Sequence, residues 1–417
     1  MGSYTELIID GYPVYSSKSY VSSDIGYIFC ESDKKTFKRR RDERNKITWG
    51  TACDADIEIA YEYQTTAQIA IDRLEILGYS LTKSKLDFIE SKNKRIQELT
   101  SFLDFPDTHL MNKFYTDEIE LLQSSNFEDF INAFIELRTN DIPYYKTDKH
   151  YNISKLASYL IDDGWFLNFP CSDFGFYYRA FLESCDKNAL VIQDITEIVN
   201  AGYYAPEEEV INSLMENQER ITILTEGTSD INIISKSIQL LYPHLIDYYN
   251  FKDFKIAKAQ GNAHQLFLDI KNLIAINHKA KVIALFDNDG EGVTQYNQLK
   301  KINIPKNFVI LKYPDIELLK SYPTNNTFEN LNGIAGSIEM YLGKDILQEN
   351  EEYIAVELAN QTIPQGAIKY KDKLQKKYFK KIKKCKNDIS FIDSYDWSEM
   401  KLLLNTIFDA FKDIRND

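Results

Sequence analysis

The sequence predicts a mixed α+β protein that contains a parallel α/β sheet. Short apolar runs alternate with helical patterns between residues 221 and 311, strand patterns occur within residues 1–60, and apolar residues recur at helical spacing between 61 and 215. Buried strands separated by helices typically form a parallel sheet covered on both faces. We therefore predict four segments: a small β-rich N-terminal domain (1–60), a helical middle domain (61–215), an α/β domain (216–345) and a lysine-rich helical C-terminal extension (346–417).

Composition limits the classes of protein that this chain can represent. Its 417 residues include 63 acidic and 49 basic side chains, for a net charge of -14, and 44% are hydrophobic. These values favour folded domains with real cores over disorder. The acidic total argues against broad non-specific affinity for nucleic acid but is compatible with a local basic groove. No apolar run approaches the roughly 18 residues of a membrane span.

The N-terminus and the cysteines predict a cytoplasmic location. Residues 1–6 have neither a cationic start nor an apolar stretch, so we predict no secretion signal. The five cysteines lie far apart and form no C-x-x-C pair, which argues against a zinc ribbon and favours reduced, idle thiols. We expect no membrane contact, and a homo-oligomer remains open.

Within the first 60 residues, short strands are predicted at 4–9 and 12–15, around the turn signal Asp10-Gly11, and a third at 25–29. A basic run follows at residues 38–41. A solvated face is the ordinary interpretation of such a run, and contact with nucleic acid is the alternative.

Helices are predicted from residue 61 to the Asp141-Ile142-Pro143 break. An aromatic cluster follows between 165 and 178, which we interpret as core, with a platform for stacked bases as the alternative. The apolar residues at helical spacing are Ala67, Ala70, Ile71, Leu74, Leu77, Leu86, Ile89, Ile96, Leu99, Leu103, Ile119, Leu122, Phe130, Phe134 and Leu137.

Strands and helices are predicted to alternate along the α/β region. Strands are expected at 221–225, 281–286 and 308–311, and helices at 230–241, 266–277 and 293–300.

The first chemical motif is Thr225-Glu226-Gly227-Thr228-Ser229-Asp230, placed where a strand ends and a helix begins. Ligands bind at that edge of an open parallel sheet. Glu226 and Asp230, four residues apart, are candidates to approach one cation. The alternative is that Glu226 is simply exposed while Ser229 or Asp230 caps the helix.

The second motif is Asp287-Asn288-Asp289-Gly290-Glu291, directly after an apolar strand. In extended backbone, Asp287 and Asp289 point the same way. Two such close negative charges require a cation between them or a proton on one of them, and carboxylate oxygens suit magnesium. A calcium loop fits poorly because the twelfth position is Gln298 instead of Glu. A turn with capping carboxylates is the remaining alternative.

Taken together, the two motifs resemble a Toprim domain, the Rossmann-like metal-binding catalytic unit of topoisomerases, bacterial-type primases and OLD-family nucleases. The resemblance implies that Glu226, Asp287 and Asp289 hold one or two Mg²⁺ ions, with Mn²⁺ as a substitute. It also implies that Asp230, Glu291 and Glu339 complete the metal shells. An exposed helical glutamate is the alternative for Glu339.

The wider sequence resembles bacterial HEPN/Toprim-associated N-terminal-domain proteins, many of which are suspected of antiviral, anti-phage defence. The matching segments are residues 1–4 with Gly11, 28–29, 32–34, 241–244, 284–289, 322–324, 332–339, and Gln365-Gly366 followed by Lys371. Active HEPN ribonucleases carry an arginine followed after four to six residues by a histidine. None of the five histidines has an arginine at that distance, so we predict that the HEPN-like middle domain is a scaffold or sensor without that activity.

Lys371 is a candidate to stabilise the charged transition state of phosphodiester hydrolysis, in a lysine-rich stretch where its neighbours compete for the role. The tract 376–386 alternates lysines with Tyr378, Phe379 and Ile382, a pattern that favours a basic face for phosphates. A solvated lysine face is the alternative.

The predicted function is therefore a metal-dependent endonuclease that hydrolyses DNA or RNA. The sequence has no G-x-x-x-x-G-K-[ST] loop, so an ATPase or sensor would have to be a partner protein. The alternative is a Toprim module that binds nucleic acid or regulates a partner without cutting.

Overall fold

The computed structural model describes residues 2–49, 55–103, 112–143, 151–162, 165–215, 220–252, 261–325, 327–359 and 364–412. The chain divides into two compact units, residues 1–218 and 219–417. This division is coarser than the four predicted segments, whose boundaries stay predictions. His109, His150 and Cys53 lie outside the described residues. In the described part of the chain, no helix has both the length and the apolar character to span a membrane.

The first unit is built on a five-stranded antiparallel sheet in the order β2-β1-β5-β4-β3. The strands are β1 Tyr4–Ile9, β2 Tyr12–Lys18, β3 Lys34–Arg40, β4 Ile57–Thr66 and β5 Leu190–Asp194. The first two strands meet at a turn where Asp10 and Gly11 both have positive φ, as the turn signal predicts. Because β4 and β5 come from opposite ends of the predicted helical segment, that segment shares one sheet with the N-terminal strands.

Helices of the first unit surround an aromatic core. They are α1 Lys46–Trp49, α2 Ala67–Ile76, α3 Leu81–Leu103, α4 Asn112–Ser124, α5 Phe127–Thr139, α6 Lys155–Leu160, α7 Phe174–Leu182, α8 Thr196–Asn200 and α9 Val210–Met215. Phe88, Phe130, Phe169 and Phe181 are buried and meet mostly edge to face. Of the cluster predicted between 165 and 178, Phe169, Phe176, Tyr177 and Tyr178 belong to the core as expected, whereas Trp165 is 46% exposed.

One prediction in the first unit is wrong, and a second holds for Lys38, Arg40 and Arg41 but not for Arg39. Residues 25–29 do not form a strand: a 3-10 helix spans Ser23–Tyr27, because the Ser22 side chain accepts a hydrogen bond from the Asp24 amide and ends the extended backbone. The basic run is not uniformly solvated either. Arg39 lies on β3, and its buried side chain forms ion pairs with Glu58, Glu62 and Asp194 inside the fold.

The second unit contains a four-stranded parallel sheet in the order β10-β8-β6-β7, which confirms the predicted parallel α/β architecture. Its strands are β6 Ile221–Thr225, β7 Tyr249–Phe251, β8 Val282–Phe286 and β10 Phe308–Lys312. Every residue of β8 is buried, which accounts for its uninterrupted apolar sequence. The short edge strand β7 was not predicted.

Helices cover this sheet. They are α10 Thr228–Leu241, α11 Ala263–Ala275, α12 Gly290–Leu299, α13 Lys344–Leu347, α14 Lys371–Asn387 and α15 Ser398–Phe408. Leu266 and Ile270 of α11 and Leu299 of α12 join the apolar core formed with β8 and β10. Helix α10 packs against α14, where Ser237 and Tyr378 share a buried 2.7 Å hydrogen bond.

Short strands complete the second unit. They are β9 Asn288–Asp289, β11 Tyr322–Pro323, β12 Phe328–Glu329, β13 Ala335–Gly336, β14 Gln348–Glu349, β15 Glu352–Tyr353, β16 Val356–Ala359 and β17 Gln365–Ile368. The C-terminal segment therefore begins with two antiparallel pairs before its helices, which the lysine-rich pattern does not predict. The pairing of β9 with β13 brings the Asp287–Asp289 motif beside the segment that leads to Glu339.

Candidate metal centre

The candidate centre lies at the carboxyl edge of the parallel sheet. Glu226 directly follows β6, Asp287 directly follows β8, and Tyr313 directly follows β10. Since β6, β8 and β10 are parallel neighbours, their three following residues emerge at the same edge. The sheet register thus brings together side chains that are between 26 and 87 residues apart.

Glu226 and Asp287 are in direct contact. The Asp287 backbone N–H donates a 2.8 Å hydrogen bond to Glu226 Oε1. Glu226 therefore turns toward the second motif and is not the exposed residue of the alternative interpretation. Gly292 makes this contact possible, since a Cβ there would lie 2.8 Å from Glu226 Oε1 and 2.3 Å from the Asp287 carbonyl oxygen.

Asp287 and Asp289 differ in how their carboxylates are used. Asp287 Oδ1 is buried without a hydrogen-bond partner among the described residues. Asp289 Oδ1 accepts a 2.8 Å hydrogen bond from the Gly292 N–H and caps the N-terminus of α12. The turn-and-cap alternative thus describes part of what Asp289 does, but it leaves the unsatisfied oxygen of Asp287 unexplained.

Asp230 is buried in the first turn of α10 and is not its N-cap residue, which is Gly227, but its carboxylate accepts hydrogen bonds from the backbone amides of Gly227 and of Asp230 itself. Its Oδ1 accepts a 3.0 Å hydrogen bond from the hydroxyl of Tyr313, which is itself fully buried. Tyr313 was missed at the sequence level. Its position immediately after an apolar strand is the signal that could have identified it.

Glu339 is 2% exposed and lies on the 3-10 helix Ile338–Tyr341, not on an exposed helix face. Ser337 Oγ and Gln375 Nε2 donate hydrogen bonds of 2.7 Å each to its two oxygens. Lys371 Nζ lies 3.5 Å from Glu339 Oε2. Gln375, one helical turn after Lys371, was also missed because a single glutamine in a lysine-rich helix carries no signal.

The acidic groups act on one another electrostatically. Burial, followed by the charges of Asp289, Asp230 and Glu291, raises the pKa of Glu226 to about 8, although the Asp287 N–H opposes the shift. Burial and the charge of Glu339 raise the pKa of Asp230 to about 7. Burial, then Asp230, Glu226, Asp289 and Glu339, raise the pKa of Asp287 well above its usual range.

These pKa shifts place all of the predicted acidic residues in one electrostatic group. Glu291, in the first turn of α12, enters through its charge on Glu226; Glu339 enters through Asp230 and Asp287. Lys371 is attached to the group by its ion pair with Glu339. Direct contacts join Glu226 to Asp287 and Glu339 to Lys371, whereas Asp230, Asp289 and Glu291 are linked to Glu226 or Asp287 through their charges. The chemical roles of these seven residues stay predictions.

The donor set fits a hard divalent cation. It consists of carboxylate oxygens, one of which, Asp287 Oδ1, lacks a partner among the described residues, and burial together with the neighbouring carboxylates makes Asp287 costly to ionise. Across the described ranges, however, no three His, Cys, Asp or Glu side chains are arranged so that they could hold a metal ion as they stand.

The fold and site define an α/β protein with a buried acidic cluster at the carboxyl edge of its sheet. The family described as HEPN/Toprim N-terminal domain 1 matches residues 1–218, just over half of the 417-residue chain. The chain belongs to this family. Neither the curated proteins nor the solved structures contain a significant match to it.

Proposed function

We propose that the second unit is an OLD-like Toprim catalytic domain and that the protein is a metal-dependent endonuclease of DNA or RNA. The observation that carries the proposal is the contact between Glu226 and the Asp287 N–H beside the unpartnered, buried Asp287 Oδ1. The family description supports a nuclease-related role, because it pairs the N-terminal domain with HEPN and Toprim.

In this proposal Glu226, Asp287 and Asp289 hold Mg²⁺ or Mn²⁺, and Asp230, Glu291 and Glu339 complete the surroundings of the ions. When bound, the ions supply Lewis acidity, which activates water and stabilises the leaving oxygen of a phosphodiester. Glu226 either binds an ion or accepts the proton of the attacking water. Lys371 offers its ammonium group to the negative charge that develops on the phosphate.

Tyr313 has a supporting role in the same proposal. Its hydroxyl orients Asp230, whose charge in turn acts on Asp287 and Glu226. Because both groups of this hydrogen bond are buried, Asp230 keeps one orientation without contact with water.

The second candidate is a non-cleaving module that binds nucleic acid or regulates a partner protein. The specific observation in its favour is that no three-ligand metal site is already assembled among the described residues. A buried acidic cluster that stays protonated at neutral pH would be stable without a metal, and such a module would need a partner for catalysis.

Cleavage assays separate the two candidates. The purified chain is incubated with supercoiled plasmid, single-stranded DNA and RNA, with Mg²⁺, Mn²⁺ or EDTA. We expect metal-dependent cleavage of at least one substrate, and at least about a hundredfold loss in Glu226→Gln. The matched control is Glu317→Gln, since the Glu317 side chain is 85% exposed and pairs only with the nearby Lys320 among its described contacts.

Two results would redirect the interpretation. Full cleavage by Glu226→Gln would remove Glu226 from the centre. Tight nucleic-acid binding without cleavage by either protein would favour the regulatory module. Defence against phage is a proposal that rests on the resemblance alone, and phage plating on cells that express wild type or Glu226→Gln tests it. A cytoplasmic location and a protein sensor or ATPase partner are further proposals, which rest on the sequence features described above.

A further inference from the structure

The residue between the two motif aspartates, Asn288, is fully buried, and its side chain forms a polar lock with Lys312 and Asp315 and a further hydrogen bond with Tyr341. Its Nδ2 donates a 2.9 Å hydrogen bond to Asp315 Oδ1, and its Oδ1 accepts a 3.0 Å hydrogen bond from Lys312 Nζ. Lys312 and Asp315 complete the triangle with a 2.7 Å ion pair. Asp287 and Asp289 make none of these contacts, and the extended backbone of β9 directs the Asn288 side chain opposite to theirs.

The backbone of Asn288 is held as well. It pairs with Gly336 of β13, where a Cβ would lie 2.7 Å from both Asn288 Cβ and its carbonyl oxygen. Only glycine allows this close approach. The turn after β8 is therefore fixed on the side away from the carboxylates, by a side-chain lock and by a neighbouring strand.

Lys312 and Tyr313 repeat the same alternation on the neighbouring strand. Lys312, the last residue of β10, pairs with Phe286, the last residue of β8, and its side chain joins the lock. Tyr313 donates its backbone N–H to the Phe286 carbonyl and its hydroxyl to Asp230. At the end of each strand, one of two successive residues thus faces the acidic group and the other faces the lock.

We infer that Asn288 is a positioning residue: through Lys312 and Asp315 it sets the turn that presents Asp287 and Asp289 to a divalent cation. This inference rests on the proposed metal centre. Burial and direct hydrogen bonds give the lock its effect, because an unsatisfied amide at this place would be costly. Partners of this kind, behind the ligands of a metal, typically change metal affinity by about 10- to 100-fold when they are mutated.

The test exchanges the amide and carboxylate side chains at positions 288 and 315. Asn288→Asp removes the donor to Asp315 and sets two carboxylates against each other, and Asp315→Asn alone leaves Asn288 facing another amide. The double variant, Asn288→Asp with Asp315→Asn, restores one donor, one acceptor and the net charge around Lys312. The matched control is Asn307→Asp, since Asn307 bonds the carbonyls of His278 and Ala280 before the start of β10.

Two readouts are measured on the full chain. Mn²⁺ affinity by calorimetry should fall at least about tenfold in Asn288→Asp and return to within about threefold in the double variant. Hydrogen exchange of the peptide that contains Asp287 and Gly292, measured without metal, should accelerate at least about tenfold in Asn288→Asp and recover likewise. Asn307→Asp should change neither.

The outcomes separate this inference from the proposed function. Suppose that wild type binds no Mn²⁺, but hydrogen exchange accelerates in Asn288→Asp and recovers in the double variant. This result would support the lock and refute the metal centre. Wild-type Mn²⁺ affinity and exchange in Asn288→Asp would overturn the positioning role. The positioning role would also be overturned if the double variant rescued neither readout, or if Asn307→Asp had equal effects. Either result would show that the contacts of Asn288 contribute only to general stability.

Discussion

Lys371 Nζ lies 3.5 Å from Glu339 Oε2, whereas the neighbouring Lys369 and Lys373 pair with Glu357 and Glu349 away from the centre. The sequence left the choice among these lysines open. The ion pairs distinguish the three lysines, because Lys371, the first residue of α14, is the one that reaches the buried Glu339. The Lys371 side chain is 44% exposed, so the ion pair itself contributes little to stability.

We expect Lys371→Met to lower cleavage by about 10²- to 10³-fold with a nearly unchanged melting temperature, since a donor to the transition state is lost and little packing is removed. Initial cleavage rates and a thermal melt check this. Lys369→Met is the matched control and should keep wild-type rates. Equal rates for both variants would contradict a catalytic role for Lys371.

Gly292→Ala should weaken metal binding. Alanine is the better helix former by about 1 kcal/mol, but its Cβ at Gly292 would meet Glu226 Oε1 and the Asp287 carbonyl oxygen at 2.8 and 2.3 Å. We expect Mn²⁺ affinity to fall at least about tenfold. Asn297→Ala, at an exposed position of the same helix, serves as the control in the calorimetric titration. Unchanged affinity in Gly292→Ala would show that the close approach is not needed.

The first unit carries an independent pH dependence. Burial, then the charge of Asp194, raises the pKa of Glu6 from 4.5 to about 8 in the folded protein. Between pH 4.5 and about 8 the folded state binds more protons than the unfolded state at this residue, so its contribution to stability falls as the pH rises. Glu6→Gln removes this dependence.

We therefore expect the stability of Glu6→Gln relative to wild type to increase from pH 5 to pH 8.5. Thermal unfolding of the two proteins across this range provides the measurement. Glu90→Gln, at an exposed position, should follow the wild-type curve. Parallel curves for Glu6→Gln and wild type would show that Glu6 does not titrate in this range.

The lysine face of α14 should contribute to nucleic-acid binding through salt-dependent contacts. Lys376, Lys380 and Lys383 are exposed and lie at successive spacings of four and three residues, away from the buried Tyr378 and Ile382. If each contacts one phosphate of a duplex, replacing all three by Gln should lower the slope of log K against log salt by about 2 to 3.

Binding of a fluorescent DNA duplex at several salt concentrations, in the Glu226→Gln background, measures this slope without cleavage. The control replaces the exposed Lys279, Lys301 and Lys401 by Gln, which changes the net charge equally. If both triple variants shift the slope alike, or neither does, the face is a solvated one.

Not every lysine of this tract belongs to that face. Lys381 is 3% exposed, lies 2.9 Å from Asp345 Oδ1 and sits 4.1 Å from the centre of the Trp397 ring. Burial lowers its pKa in spite of Asp345. The repeat of lysines along the sequence does not distinguish Lys381 from Lys380, because the direction in which each one points depends on what packs against the helix.

The sequence alone predicted the parallel α/β region, because uninterrupted apolar runs separated by helical patterns are typical of buried parallel strands, and it selected the acidic residues that follow two of those strands. The resemblance of the two motifs to a Toprim domain also predicted that Glu226 and Asp287 share one site. Only the tertiary structure decided that Tyr313 faces Asp230, that Asn288 is locked by Lys312 and Asp315, and that β5 joins the N-terminal sheet. These relationships depend on strand order and side-chain direction across distant segments, and local sequence patterns carry no information about either.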